Sequence, residues 1–516
     1  MSGPDGPGAG PGPTPDPLLR SPAAKAAHPT AAGAAGATER YGYPVSQSLS
    51  AQATVERALD LSRADATMVL VSETGTANLR WAGNSLTTNG VTRGRSVTVI
   101  ALRNADRGTA VGVVRRSGLR DDELPDLVRA AEAASAEAAP SEEGRPLLTS
   151  EAAGPVGGDW DAPVPATGIE VFTDTARDLG RAFRHGAANG TRLYGFAEHT
   201  VTSTFLGSST GLRLRHDQPA GSLELNAKSG DTERGTGGHS TWVGRATRDF
   251  TDVDVDALAA ELDRRIGWAQ RRVELPAGRY ETLLPPEAVA DLMISLYWRA
   301  GARDAHEGRT AFSAPGGGTR VGERLSPLPL TLRSDPAEPG LECAPFVLAD
   351  APGRAVTAFD NGVPLGRSEW IADGRLAALC QTRYSADLTG LPLTPEIDNL
   401  ILEGAGGTAT LADMVAGTER GLLVTCLWYI REVDPQTMLQ TGLTRDGVYL
   451  VEDGEVTGAV NNFRFNESPV GLLSRVSEVG ASVPALSREF GQYFPRTAMP
   501  PVRVPDFNMS TVSQAS

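Results

Sequence analysis

Apolar residues recur at helical spacing through Ala51, Val55, Ala58 and Leu59, with Leu61 at the stripe's edge, and predict an amphipathic helix over Ala51–Arg63. The period then shortens to strand-like runs at Met68–Val71, Ala77–Ala82, Ser96–Leu102 and Thr109–Val114, with turns expected at Gly83-Asn84 and Asn89-Gly90. A charged, Ala-rich helix is predicted over Asp121–Glu137, where the opening acids Asp121, Asp122 and Glu123 suit the positive end of a helix dipole. The cycle repeats with a helix at Ile169–Ala188 and alternating strands at Leu193–Phe205, Leu212–Arg215, Ser222–Lys228 and Ser240–Arg245. A helix over Val255–Val273 closes it, apolar at Leu258, Leu262, Ile266 and Ala269. Beyond Gly278 come one apolar helix, Pro286–Ala302, and many short β segments, among them Ala355–Phe359, Glu369–Ile371, Leu422–Trp428 and Val448–Val451. Asp453-Gly454 between two alternating runs marks a β-hairpin.

Helices alternating with runs of adjacent strands predict a multi-domain α+β fold, with mostly antiparallel sheets, flanking helices and a β-rich C-terminal domain. The expected divisions are a disordered Gly/Pro/Ala-rich tail over 1–48, an N-terminal α+β domain over 49–140 and a polar linker over 141–164. A central α+β domain over 165–275 and a C-terminal domain over 276–516 follow. At 516 residues the chain is too long for a single core.

Charge narrows the function. A net charge of −15 argues against nucleic acid and against anionic membranes as partners. Lysine occurs only at Lys25 and Lys228, each after an alanine, so no Gly-x-x-x-x-Gly-Lys phosphate loop exists. Cys343, Cys380 and Cys426 are far apart and form no C-x-x-C pair, as expected of reduced thiols in a cytoplasmic protein. No apolar stretch has the length of a membrane span.

Catalytic groups are sparse. His306-Glu307 begins like a zinc-peptidase motif, but no histidine follows at the spacing that would place a second imidazole on the same helix face. The pair is expected to form a polar loop or helix end, with His306, Glu307 and Arg309 as candidate contacts to a substrate groove. His199 follows Glu198 in a strand pattern, which points the two to opposite faces. His216-Asp217 shares that limit, and His239 lies in a glycine-rich run expected to turn. Ser208 and Ser209 sit between Gly207 and Gly211, read as a hairpin turn, and Cys426 is expected to pack as a small hydrophobe. The residues supply no complete catalytic constellation and no metal site.

Several stretches taken together resemble the TldD/PmbA family of metallopeptidases. They are AGNSLTTNGVTRGRSVTVIAL, TFLGSSTGLRL, LPAGRYETLLPPEAVADLM, FDNGVPLGRSEWIADGRL and the long run from GLLVTCLWY to EVTGAV, in the family's order over about residues 50 to 515. In the family, TldD-like chains carry His-Glu-x-x-x-His on a helix opening the C-terminal domain and a cysteine ligand near the C-terminus. Here DLMISLYWRAGARDAHEGRTAFS lacks that motif and the closing segment SREFGQYFPRTAMPPVRVPDFNMS lacks cysteine. The resemblance therefore implies a TldE/PmbA-like chain without zinc of its own. Such a chain pairs with a TldD-like zinc subunit and shapes a groove for unfolded peptides, for which the strands Leu193–Arg215 are the candidate edge. Three other readings stay open: a self-sufficient metallopeptidase with an atypical site, a binding or scaffold protein outside proteolysis, and a specialised enzyme of natural-product maturation.

Overall fold

The computed structural model describes residues 49–105, 108–231 and 236–513. The tail expected over 1–48 lies outside them. The fold is α+β, 23% helix and 40% strand, with mostly antiparallel sheets and a β-rich C-terminal region.

Helix α1 (Ala51–Leu61) starts at Ser50, whose hydroxyl accepts from the Ala53 N–H, and buries Ala51, Val55 and Ala58. The chain next builds four strands, β1 (Ala66–Trp81), β2 (Leu86–Ala105), β3 (Gly108–Ser117) and β4 (Pro140–Ser141), with α2 (Leu124–Glu137) packed on β3. A Cβ on Gly112 of β3 would lie 2.1 Å from the Ala131 carbonyl oxygen, so only glycine admits this close a helix. The first two short strand predictions are one strand, and Asn89-Gly90 lies inside β2 opposite Leu79 and Asn78. The reversal is made once, at Gly83-Asn84, where φ is +60° and +65°. After it the strands simply continue.

Short helix α3 (Ser150–Ala153) and helix α4 (Thr173–Ala188) lead into three long strands, β5 (Thr191–Ser208), β6 (Arg213–Asp231) and β7 (Thr236–Thr247). The runs predicted at Leu212–Arg215 and Ser222–Lys228 are both in β6. Helix α5 (Val255–Trp268) ends five residues before Val273, which pairs instead with Val460. One seven-stranded sheet, in the order β4-β3-β2-β1-β5-β6-β7, joins the strands of residues 66–141 to those of residues 191–247. The beginning of the 141–164 stretch packs against this sheet. Ser141 pairs with Thr109, and Glu143 is 5% exposed.

The C-terminal region holds a six-stranded and a ten-stranded sheet around helix α6 (Pro286–Trp298). Ten of the thirteen residues of α6 are buried, on all sides, as a helix apolar all round requires. The helix stops at Trp298 rather than at Ala302, and a second short helix, α7 (Ala302–His306), follows. The strand predicted at Ala355–Phe359 is a loop closing in a 3₁₀ turn, Ala358–Asp360. Ala358 and Phe359 are buried and Val356 partly so, but against neighbouring loops and the seven-stranded sheet rather than in a ladder. The Asp453-Gly454 hairpin is present, both residues having positive φ. Among the described residues no helix is long and apolar enough to cross a membrane.

Candidate functional site: the start of helix α6 and the closing segment

Helix α6 begins with Pro286 in its first turn, where the missing N–H costs nothing. The next residues place Glu287 and Asp291 four apart, on one face. Asp291 is fully buried. Its carboxylate accepts a hydrogen bond from the Ser487 hydroxyl and others from the backbone N–H groups of Glu489 (2.9 Å) and Arg488 (3.3 Å). Ser487 Oγ accepts in turn from the Phe490 N–H at 2.9 Å. Burial raises the Asp291 carboxyl to about 7 against the pull of these donors. Glu287 retains partial solvent contact, yet its carboxyl too is raised by desolvation, with Arg265 and Arg245 opposing and Glu261 adding to the shift.

The segment after Ser487 fastens this corner to the seven-stranded sheet. The Arg488 guanidinium lies between the rings of Trp242 on β7, at 5.0 Å, and Trp428, at 4.8 Å, and pairs with Glu224 on β6. Trp242 Nε1 donates to the same glutamate at 3.1 Å. Cys426 is buried close by, and desolvation pushes its thiol well up, so it behaves as packing rather than as a nucleophile.

Pro286-Glu287-Ala288-Val289-Ala290-Asp291 keeps the spacing of His-Glu-x-x-x-His, with proline and aspartate at the two imidazole positions and the glutamate retained. The stretch DLMISLYWRAGARDAHEGRTAFS, in which the motif is absent, begins only at the last of these six residues, Asp291. Proline and aspartate in place of two histidines leave little to notice, and the contact that marks the site, Asp291 to Ser487, spans 196 positions. A zinc site needs about three ligands with converging free lone pairs. Pro286 has none, and the oxygens of Asp291 and Ser487 are engaged with each other and with backbone N–H groups. These residues do not fit the metal.

His306 and Glu307 do end a helix, and Glu307 sits among three arginines. It accepts from Arg303 Nε at 3.0 Å, from Arg354 Nη2 at 2.7 Å and from Arg309. Although burial opposes ionisation, Arg303 and Arg354 hold its carboxyl below the usual range. Arg303, 8% exposed, also grips Glu143 at 2.8 Å and Glu142, and stacks on Tyr384 at 4.8 Å. A divalent cation would have to displace the three guanidiniums that already occupy the Glu307 carboxylate. Among the described residues no group of three or more His, Cys, Asp or Glu is placed to hold a metal ion.

Three other histidines, His199, His216 and His239, lie on strands β5, β6 and β7. His199 is buried, its Nε2–H donating to the Arg248 carbonyl at 2.9 Å and its Nδ1 accepting from Thr167 Oγ1 at 2.6 Å. Desolvation pushes its imidazole down, which suits that neutral tautomer. His216 Nε2 meets Gln218 Oε1 at 3.0 Å. His239 lies in β7, opposite Ser229; part of the turn expected there lies outside the described residues. The Gly207–Gly211 stretch is the β5–β6 turn, as predicted.

Strand β5 is not an edge. It pairs with β1 from Gly195 to Ser208 and with β6 from Thr191 to Gly207, so its main-chain groups are already used. At Arg215 on β6 the carbonyl accepts from the Gly158 N–H at 2.8 Å. The edge expected over Leu193–Arg215 therefore has to be sought elsewhere, because the β1–β5 pairing joins residues far apart in the chain.

Comparison with known proteins agrees with this architecture. The PmbA/TldA metallopeptidase central domain matches residues 165–270 and the C-terminal domain of the same family matches residues 277–511. No curated protein sequence matches the chain. TldE from Thermococcus kodakarensis superposes with a TM-score of 0.70 at 17% identity, over 88% of this chain and 98% of its own. A Thermotoga maritima MSB8 protein described as a modulator of a DNA gyrase gives 0.68 at 16% identity, over 89% and 99%. A Bacteroides thetaiotaomicron VPI-5482 protein described in the same way gives 0.70 at 15%, over 90% and 98%. At such identities the superpositions speak for the fold, while the two matched domains cover about two thirds of the sequence. The chain belongs to the TldD/PmbA family.

Proposed function

We propose that this chain is the TldE-like, zinc-free subunit of a cytoplasmic heterodimeric metallopeptidase. Its partner would be a TldD-like chain that supplies zinc and the hydrolytic water, and its own part would be to shape the groove that receives unfolded peptide. The observation that carries the reading is the start of α6. The family's motif spacing survives there, but Pro286 cannot ligate, and Asp291 is bound by Ser487 and the Glu489 N–H. The Arg303–Glu307–Arg354 cluster supports it further, since it turns the only His-Glu dipeptide after α6 into a structural ion-pair hub. His306 and Arg309, on the surface of that hub, are proposed as groove contacts.

Co-expression with a cognate His-Glu-x-x-x-His chain tests this directly. Size-exclusion chromatography should yield a one-to-one complex, metal analysis should find zinc in the complex and none in this chain alone, and only the complex should cleave unfolded peptides. Stoichiometric zinc and peptide cleavage by this chain alone would overturn it.

A further inference from the structure

Strand β2 is paired on one side only over its first half. β1 runs beside it from Leu86 to Leu102, whereas β3 begins pairing at Ser96. Among the described residues the outer edge of Leu86–Gly94 meets no strand. A long open edge is a template for strand addition, and natural proteins usually blunt such edges with lysine, proline or a covering loop. Leu86–Gly94 has neither lysine nor proline, and it exposes Leu86 at 47% and Val91 at 44%.

At the Arg93–Gly94 end this edge opens into a recess of about 400 Å³ whose walls include Glu73, Gly75, Arg95, Val164 and Thr167. Its size is in the range of sites that hold small ligands or chain ends. Arg95 is fixed, donating to the Leu49 carbonyl and Thr54 Oγ1 at 2.7 Å each, with Nε 3.5 Å from Glu73. Arg93 is opposite Gly75, which has no side chain of its own and is covered by the Thr167 methyl, 3.4 Å from where a Cβ would stand. It has no hydrogen-bond or ion-pair partner among the described residues.

We propose that Leu86–Gly94 accepts an extended peptide as an added strand, and that the recess seats a carboxylate of that peptide on Arg93 beside the apolar wall at Val164. This rests on the reading of the chain as a peptide-binding subunit and gives that reading a location. Charge selects the occupant. Leu86–Gly94 contains no Asp or Glu, so a second copy pairing edge to edge would bring no carboxylate to Arg93 in any register. The chain's own first 48 residues are rich in proline, which lacks the N–H an added strand must donate.

The probe is a fluorescein-labelled unstructured peptide of about ten residues, long enough to span the edge, with either a free or an amidated C-terminus. Anisotropy titration of the isolated full-length chain should show the free-acid peptide binding about tenfold tighter than the amide. Arg93→Glu should remove that preference, Arg93→Lys should retain most of it, and the free-acid peptide should slow hydrogen exchange across Leu86–Gly94. Equal affinity for the two peptides, an unchanged preference in Arg93→Glu, or protection confined to other strands would sink the proposal. So would a peptide-free dimer protected at Leu86–Gly94, which would make the occupant a second copy. If the complex with the zinc chain still cleaves peptide while this edge stays unprotected, the site fails and the subunit reading stands. If no complex forms but the isolated chain binds as described, the reverse holds.

Discussion

Asp291 and Glu307 are acidic residues of the helical stretch that opens the C-terminal region, yet their carboxyls are driven in opposite directions. Asp291 is in an apolar core and is answered by a hydroxyl and two backbone N–H groups, all neutral, so desolvation wins and the proton is held up to about 7. Glu307 is met by Arg303, Arg309 and Arg354, and there the guanidiniums win against burial. A His-Glu pair near a helix end resembles catalytic machinery in the sequence, while a lone Asp in an apolar helix does not. The surroundings cancel that ranking, because both carboxylates are occupied, Glu307 by guanidiniums and Asp291 by the Ser487 hydroxyl and backbone N–H groups.

The comparison can be broken first at Arg303. Arg303→Leu leaves Glu143 buried without its partner and removes one of Glu307's three cations, and should cost about 3–5 kcal/mol of stability in urea unfolding. Asp291→Ala orphans the Ser487 hydroxyl and the Glu489 N–H, for an expected loss of about 2–3 kcal/mol by the same measurement. Arg488→Ala, which empties the slot between Trp242 and Trp428, should cost about 1–2 kcal/mol and alter tryptophan fluorescence. Arg309→Ala, on the exposed side of the hub, should change stability by less than about 0.5 kcal/mol.

Titration sharpens the contrast, since the signs differ. The folded Asp291 carboxyl titrates above its unfolded value, so its contribution is complete below the unfolded pKa of about 3.9 and is lost as pH rises through about 7. Asp291→Asn should therefore abolish the part of the decline between those limits that belongs to this residue. Glu307 titrates below its unfolded value. Its contribution is present above that value and is lost as pH falls through the folded one, and Glu307→Gln should flatten the acid limb instead. Stability curves of the two variants with the same slope change in the same pH window would refute the comparison.

Much of the secondary structure was legible because it rests on local periodicity. The stripe Ala51, Val55 and Ala58 is the buried face of α1, and Asp453-Gly454 turns the hairpin it predicts. Asn89-Gly90 was misread because a two-residue turn signal competes with nothing in a window of sequence, while in the molecule Asn78 and Leu79 of β1 already pair with it. Ala355–Phe359 was misread as a strand because burial against loops has the same apolar pattern as burial in a sheet. In the site, the coordination chemistry of His306-Glu307 could be weighed from spacing, but not the arginines that enclose Glu307, one of which is 47 positions away.

The sequence by itself determined the α+β class and the helix and hairpin signals, since each depends on residues within about one turn or one strand of each other, and the family resemblance, since it depends on the order of short stretches along the chain. Only the tertiary structure decided that β5 is sealed between β1 and β6 while β2 is open, and that Asp291 meets Ser487. Sheet order and buried hydrogen bonds are settled by contacts between distant segments, and hydrophobic periodicity, which reports only which face of an element is buried, carries no record of what covers it.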